Sequence, residues 1–417
     1  MVTNLDKNTA IAIIESLRAG IPTRVSIREL PDLRPDLTTK IIRDLEQLAV
    51  GNKQKGRFIW GGYGQGKTHE LTNIEYKALE MGFAVSRVTL SRELSGQHML
   101  RLYAKLASSI RTPDSKLFGI QHKLNTKRAD DLNDIYIHAQ NRYTHELPLI
   151  VLENYFYANE EESELLYGDL IGCRLPISEI KRVHKKRGQD FPKLPVFKIA
   201  NHSRAYCELM SDVLTWCGYK GWVILIDEVE LIARLGKVAR LNAYRNLNWL
   251  LNWSNDNLFP IYCVCAAADP LQTRWINTEL KKETSSQIKV FDKTLIPNLA
   301  REKFDETDER KMINFFEQAL DENQCPKLLP VESRQLEQIM HFLVNIHASC
   351  YEWIPKLDIP SFIESLGYVS LRIYIRALLE SLDIDFLYNF DFKPKLDDLV
   401  DGLDVNLEDN EFFSEDS

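Results

Sequence analysis

The feature that most constrains this chain is Gly61-Gly62-Tyr63-Gly64-Gln65-Gly66-Lys67-Thr68, which satisfies G-x-x-x-x-G-K-[ST] in full. Glycines let backbone N–H groups turn inward around a phosphate, and a following helix presents its positive end to the same anion. Such a loop works only between a strand and a helix. Arg57-Phe58-Ile59-Trp60 supplies a short strand, and a helical stretch runs from Lys67 to about Met81. After Gly82 the run Phe83 to Leu90 is again β-rich, which makes a βαβ unit and predicts a parallel sheet. Lys67 is then the side chain expected at the β- and γ-phosphates of ATP, and Thr68 the expected Mg²⁺ ligand. His69 opens the helix and is read as a packing histidine that can also contact nucleotide.

The second half of such a site is Val223-Ile224-Leu225-Ile226-Asp227-Glu228. Four apolar residues predict a buried central strand, and ligands of open α/β sheets bind at the carboxyl ends of the strands. Asp227 is expected to hold Mg²⁺ and Glu228 to orient and deprotonate the attacking water. Ile261 to Ala266 is a further buried strand, leading to Asp269, which is either a sensor of the γ-phosphate or a turn residue before Pro270. Arg372 is a second-sensor candidate or part of a solvated helix face with Arg376. Arg274 and Arg301 are candidate arginine fingers.

These elements predict an α/β fold: a P-loop NTPase sheet of AAA type flanked by helices, with a helical insertion and a C-terminal helical, winged-helix-like domain. The expected boundaries are 1–50 for an N-terminal helical segment and 51–300 for the ATPase domain, with the insertion at about 112–200. Residues 301–394 form the helical lid, and 395–417 an acidic, disordered tail. In the N-terminal segment Asn8 is the expected helix cap and Gly20 the stop; Ile41, Ile42, Leu45 and Leu48 line a second helix.

Charge narrows the partners. The tail from Lys395 holds nine acidic residues and one basic, which is the whole net charge of −8; the rest carries 51 of each sign. A neutral body gives no global attraction to nucleic acid, so DNA contact needs a local cluster, and Lys181, Arg182, Lys185, Lys186 and Arg187 are the candidate. A solvated helix end explains that cluster equally well. The longest run without Asp, Glu, Lys or Arg, Gln338 to Tyr351, is 14 residues, too short for a bilayer, and no secretory leader is apparent, so the expected location is cytoplasmic. The seven cysteines have neither metal-ligand spacing nor even parity and are read as buried, reduced thiols.

The sequence also resembles the ATP-binding proteins of BREX-type phage-defence loci, the BrxD-like group, among AAA-type ATPases related to origin-recognition and initiator-loader proteins. The resemblance is carried by Ile13 to Pro22, by Gly62 to His69, by Gly218-Tyr219-Lys220-Gly221-Trp222 leading into Ile226-Asp227-Glu228-Val229-Glu230, and by Leu366 to Leu382. It implies a cytoplasmic defence ATPase using ATP and Mg²⁺, assembled as a homo-oligomer or hetero-complex with other defence-system proteins, and acting on DNA. A STAND-type signalling switch and an initiator-like helicase loader are the alternatives. Ala267-Ala268-Asp269 departs from the pattern in lacking a small hydroxyl residue at the first sensor.

Overall fold

A computed structural model of the protein describes residues 5–19, 28–133, 135, 142–276 and 291–388. The Gly20-Ile21-Pro22 element, the acidic tail and the Arg274 side chain lie outside the described residues. Four strands form one parallel sheet: β1 (Arg57–Trp60), β2 (Ala84–Thr89), β3 (Trp222–Asp227) and β4 (Ile261–Ala267). Their order is β1-β4-β3-β2, so β4 separates the strand before the glycine loop from the strand that ends in Asp227. The register sets Trp60 against Ala267 and Thr89 against Asp227, which brings the carboxyl ends of the strands to one edge.

Burial on both faces explains why the strands read as continuous apolar runs. Alternation then divides them. Ile59, Val223, Leu225, Tyr262 and Val264 pack with α2 (Pro35–Ala49) and α3 (Lys67–Glu80) on one face. Phe58, Trp60, Trp222, Ile224, Ile226 and Cys263 face the larger core, which holds α4 (Met99–Ser108) and the helices of the inserted stretch, α5 (Leu147–Tyr155), α6 (Glu160–Leu170) and α7 (Ile177–Lys186). α8 (Arg204–Trp216) and α9 (Lys237–Leu250) complete that layer. After β4 the chain continues in α10 (Asp269–Ile276), α11 (Asp292–Lys303) and α12 (Glu306–Leu320). Phe315 and Phe316 of α12 pack edge-on against Trp275, and Phe315 also against Phe58, so α12 belongs to the core of the sheet.

A separate apolar cluster begins beyond Leu328. It joins α13 (Ser333–Tyr351), α14 (Ile359–Leu366) and α15 (Leu371–Tyr388) through Met340, Leu343, Phe362 and Leu378. The change of core therefore falls after α12, later than the expected boundary at 301. Among the described residues C-terminal to 291 the elements are helices, with no hairpin to form a wing. The N-terminal segment is also divided. α1 (Lys7–Arg18) packs Ala10, Ile13 and Ile14 onto Ile346, Cys350 and Leu379, whereas α2 packs on the sheet side. Its cap is Asp6, whose carboxylate accepts from the Thr9 N–H at 3.0 Å, in place of the expected Asn8.

All seven cysteines are free and all but Cys173 are buried. Cys263 and Cys265, two apart on β4, share one face with sulfurs 3.9 Å apart.

Candidate functional site

The turn from β1 into α3 is built on left-handed glycines: Gly64 has φ +75° and Gly66, the residue that caps α3, has φ +89°. Side chains with a Cβ are strained there. At Gly64 space is limiting as well, since a Cβ would lie 2.8 Å from Ser370 Oγ, at the start of α15. No side chain caps α3, which leaves the amides of its first turn directed at the loop. Gln65 braces the loop from within, its Oε1 accepting from Gly62 N–H at 2.8 Å. Lys67 Nζ donates to the carbonyls of Gly61 at 2.7 Å and Gly62 at 3.1 Å, and lies 5.3 Å from the centre of the Tyr63 ring.

The end of β3, the expected Walker B half of the site, meets this loop at the Thr68 hydroxyl. Thr68 Oγ1 donates to Asp227 Oδ2 at 3.0 Å. Asp227 is buried at the end of β3, and Arg87 of β2 lies 3.5 Å from the same oxygen. The next residue, Glu228, adopts a left-handed conformation at φ +56°, reversing the chain into a 3₁₀ turn over Val229–Arg234. That reversal leaves the Glu228 side chain exposed and folds Glu230 back into the interior, where its Oε2 accepts from Ala268 N–H at 3.0 Å. Burial pulls the Lys67 ammonium below the ordinary lysine range, while Glu230, Asp227 and Asp269 oppose the shift and Arg372 adds to it. Burial likewise raises the Glu230 carboxyl.

The loop, the carboxylates and α15 line a pocket of about 430 Å³. One side is polar, lined by residues 63–70 with Asp227, Glu228, Glu230 and Arg372. The other is apolar: Leu17 of α1, Leu30, Pro31 and Leu33 of the connector, Ile339 of α13 and Ile375 of α15. An anion-binding loop beside an apolar wall matches a nucleotide, whose phosphates and base demand those two surroundings. His69 lines the pocket and is held toward its neutral form by burial.

A comparison with known families adds the decisive observation. The family BrxC/BrxD, described as BREX system ATP-binding protein BrxC/D, matches residues 5–120 and 193–271, which include the loop, Arg87, Asp227, Glu228 and Glu230. The chain belongs to the BrxC/BrxD family. No curated protein matches it. As a BrxC/BrxD member it is an ATP-binding protein of a BREX defence system. The gap between the two matched spans runs through α5, α6 and α7.

The structure brings together most of the residues singled out from the BrxC/BrxD sequence, and separates others. Gly64 to His69, Asp227, Glu228 and Arg372 share the pocket. Asp269 does not line it; its carboxylate turns to Lys327 at 3.1 Å while beginning α10. Arg301 is exposed and paired with Glu306 at 3.2 Å. The basic cluster on α7 stands apart from the pocket-lining residues, and three of its five members are engaged by carboxylates. Arg182 meets Glu179 at 3.0 Å and Glu162 at 3.3 Å, Lys186 meets Glu162 at 2.5 Å, and Arg187, only 8% exposed, meets Glu153 at 2.8 Å. Lys181 and Lys185 are exposed.

Sequence reasoning missed Arg87, Arg34, which also lines the pocket, and the apolar wall, and assigned Glu230 no role. Arg87 carried a signal: it is the one charged residue in the run Phe83–Leu90, and period-two alternation turns it toward α3, where Nη1 donates to Thr72 Oγ1 at 2.7 Å. The apolar wall carried none, because its residues come from four separate parts of the chain.

Proposed function

We propose that this BrxC/BrxD member is a Mg²⁺-dependent ATPase whose lid couples nucleotide state to other proteins of the defence system and to DNA. The observation that carries the reading is the Thr68–Asp227 contact at 3.0 Å, which joins the phosphate loop to the acid at the end of β3. Those two oxygens are the ones that would hold Mg²⁺, and the bound ion would neutralise charge developing on the β- and γ-phosphates. Lys67, released from the loop carbonyls, would bind oxygens of the β- and γ-phosphates. Arg372, from α15, adds positive charge on the lid side of the pocket. Glu228, next to Asp227 and exposed to the pocket, accepts the proton of the attacking water. The order β1-β4-β3-β2, with β4 between the two motif strands, supports the AAA-type reading.

Glu228→Gln tests it. The amide keeps the shape and cannot take a proton, so ATP binding is expected to persist while turnover falls roughly a hundredfold or more. Wild-type turnover in this variant would remove Glu228 from the chemistry, and a purified wild type with no Mg²⁺-dependent hydrolysis, alone or with DNA, would leave the chain an ATP-gated switch.

A further inference from the structure

In the proposed ATPase site, the first-sensor position at the end of β4 carries no polar side chain of its own. Ala267 and Ala268 occupy it, and Asp269 is drawn away to Lys327. The neighbouring Walker B turn fills the gap. Because Glu228 reverses the chain in a left-handed conformation, Glu230 is carried inward to 3% exposure, with Oε2 on the Ala268 N–H at 3.0 Å. It also lines the pocket.

We propose that Glu230 is a positioning residue for ATP hydrolysis: it clamps the end of β4 to the turn that follows β3. The geometry gives the clamp a reason. β4 lies between β1 and β3 and pairs with both, so its last residues join the strand that leads to the phosphate loop and the strand that ends in the metal-binding acid. Gly61 N–H, the first amide of the loop, reaches the Ala267 carbonyl at 3.3 Å, and Glu230 holds the very next amide. A chain of contacts thus runs from Glu230 through residues 267 and 268 to the phosphate loop. A buried, charge-assisted hydrogen bond holds such a junction more tightly than a neutral one. In this arrangement Glu230 acts through the backbone groups it fixes.

The proposal rests on the ATPase reading, and the test separates the two. Steady-state hydrolysis and hydrogen exchange of the peptide spanning Cys265 to Leu271 are measured for wild type, Glu230→Ala and Glu230→Gln, using ATP and Mg²⁺. Glu230→Ala is expected to lower kcat roughly ten- to a hundredfold, the range for loss of one hydrogen bond to a charged group, with KM changed less than about threefold. It is also expected to lose protection at Ala268. Glu230→Gln, whose amide oxygen still accepts from Ala268, should recover the protection and much of kcat, the remaining deficit reporting the weaker, neutral hydrogen bond. Unchanged protection at Ala268 in Glu230→Ala, a rise in KM with kcat intact, or a glutamine variant as impaired as alanine in both readouts would overturn the proposal. A wild type that hydrolyses no ATP would sink the ATPase reading and, with it, the catalytic role of the clamp, whereas turnover in wild type equal to that of Glu230→Ala would sink the clamp alone.

Discussion

At the scale of single residues, the site is a set of charges held out of water by burial and by one another. Lys67 Nζ bonds two loop carbonyls, but the left-handed turns at Gly64 and Gly66 belong to the glycines themselves, so removing the ammonium leaves the loop's backbone conformation in place. Lys67→Ala is therefore expected to weaken ATP binding roughly ten- to a hundredfold in a folded protein, read by titration calorimetry. Glu70 makes the clearest pH prediction. It is buried on α3, with Thr38 Oγ1 at 3.4 Å, and burial together with the nearby Asp32 charge pushes its carboxyl up to about 7 from the ordinary 4.5. The folded state thus holds this proton more tightly than the unfolded chain does. Its contribution to stability is full below about pH 4.5, declines as pH rises to about 7, and stays lost above. Glu70→Gln, which cannot ionise, should be more stable than wild type at pH 8 by up to about 3 kcal/mol, with the advantage gone near pH 4.5. Denaturant melts across that range read it directly.

At the scale of elements, the lid is tied to the far end of the chain. Asp383 of α15 accepts from Arg18 of α1 at 3.0 Å and from His347 Nε2 of α13 at 2.9 Å, and the other nitrogen of that ring accepts from Trp353 Nε1–H at 3.0 Å. The His347 side chain is fully buried, so its tautomer is set by these two partners. Three helices therefore meet at one carboxylate, and all three contribute to the pocket wall, through Leu17, Ile339 and Ile375. Asp383→Ala leaves the His347 N–H without its acceptor and is expected to cost about 1–3 kcal/mol, seen as a lower midpoint in urea. ATP affinity should fall with it, because the apolar wall then loses its brace; unchanged affinity would mean that the wall is held by packing alone.

At the scale of the molecule, the arrangement of α7 redirects the search for DNA contact. With Arg187 nearly buried against Glu153, and the exposed Arg182 and Lys186 paired with Glu162, Lys181 and Lys185 are the exposed cations of this cluster outside those ion pairs. If the cluster meets phosphates, Lys181→Ala with Lys185→Ala should reduce the salt slope of log K by up to about 0.9 per lysine. Arg187→Ala should instead lower stability, since it strands Glu153 and exposes packed surface, and should leave the slope unchanged. Fluorescence anisotropy over a salt series separates these outcomes, and a wild type without affinity for DNA at low salt, with or without ATP, rejects direct DNA contact. No helix among the described residues is long and apolar enough to cross a membrane.

The sequence by itself determined what contiguous residues can encode. Gly64 and Gly66 take left-handed backbone that only their lack of a Cβ makes easy, and mostly apolar runs of four to seven residues, with Arg57 and Asp227 at their ends, became fully buried strands. The acids at the end of β3 followed from the same local logic. Tertiary structure decided what depends on residues far apart in the chain. The placing of β4 between β1 and β3, the meeting of Leu17 with Ile375 across the pocket, and the turning of Asp269 to Lys327 all depend on how strands order and helices dock. Glu230 shows the division most plainly. Its neighbour Asp227 could be assigned from the strand it ends, but the value of Glu230 arises from a left-handed step at Glu228 that brings it onto an amide 38 residues away in sequence. A one-dimensional pattern records the spacing of side chains along an element, not the partner that the element will meet.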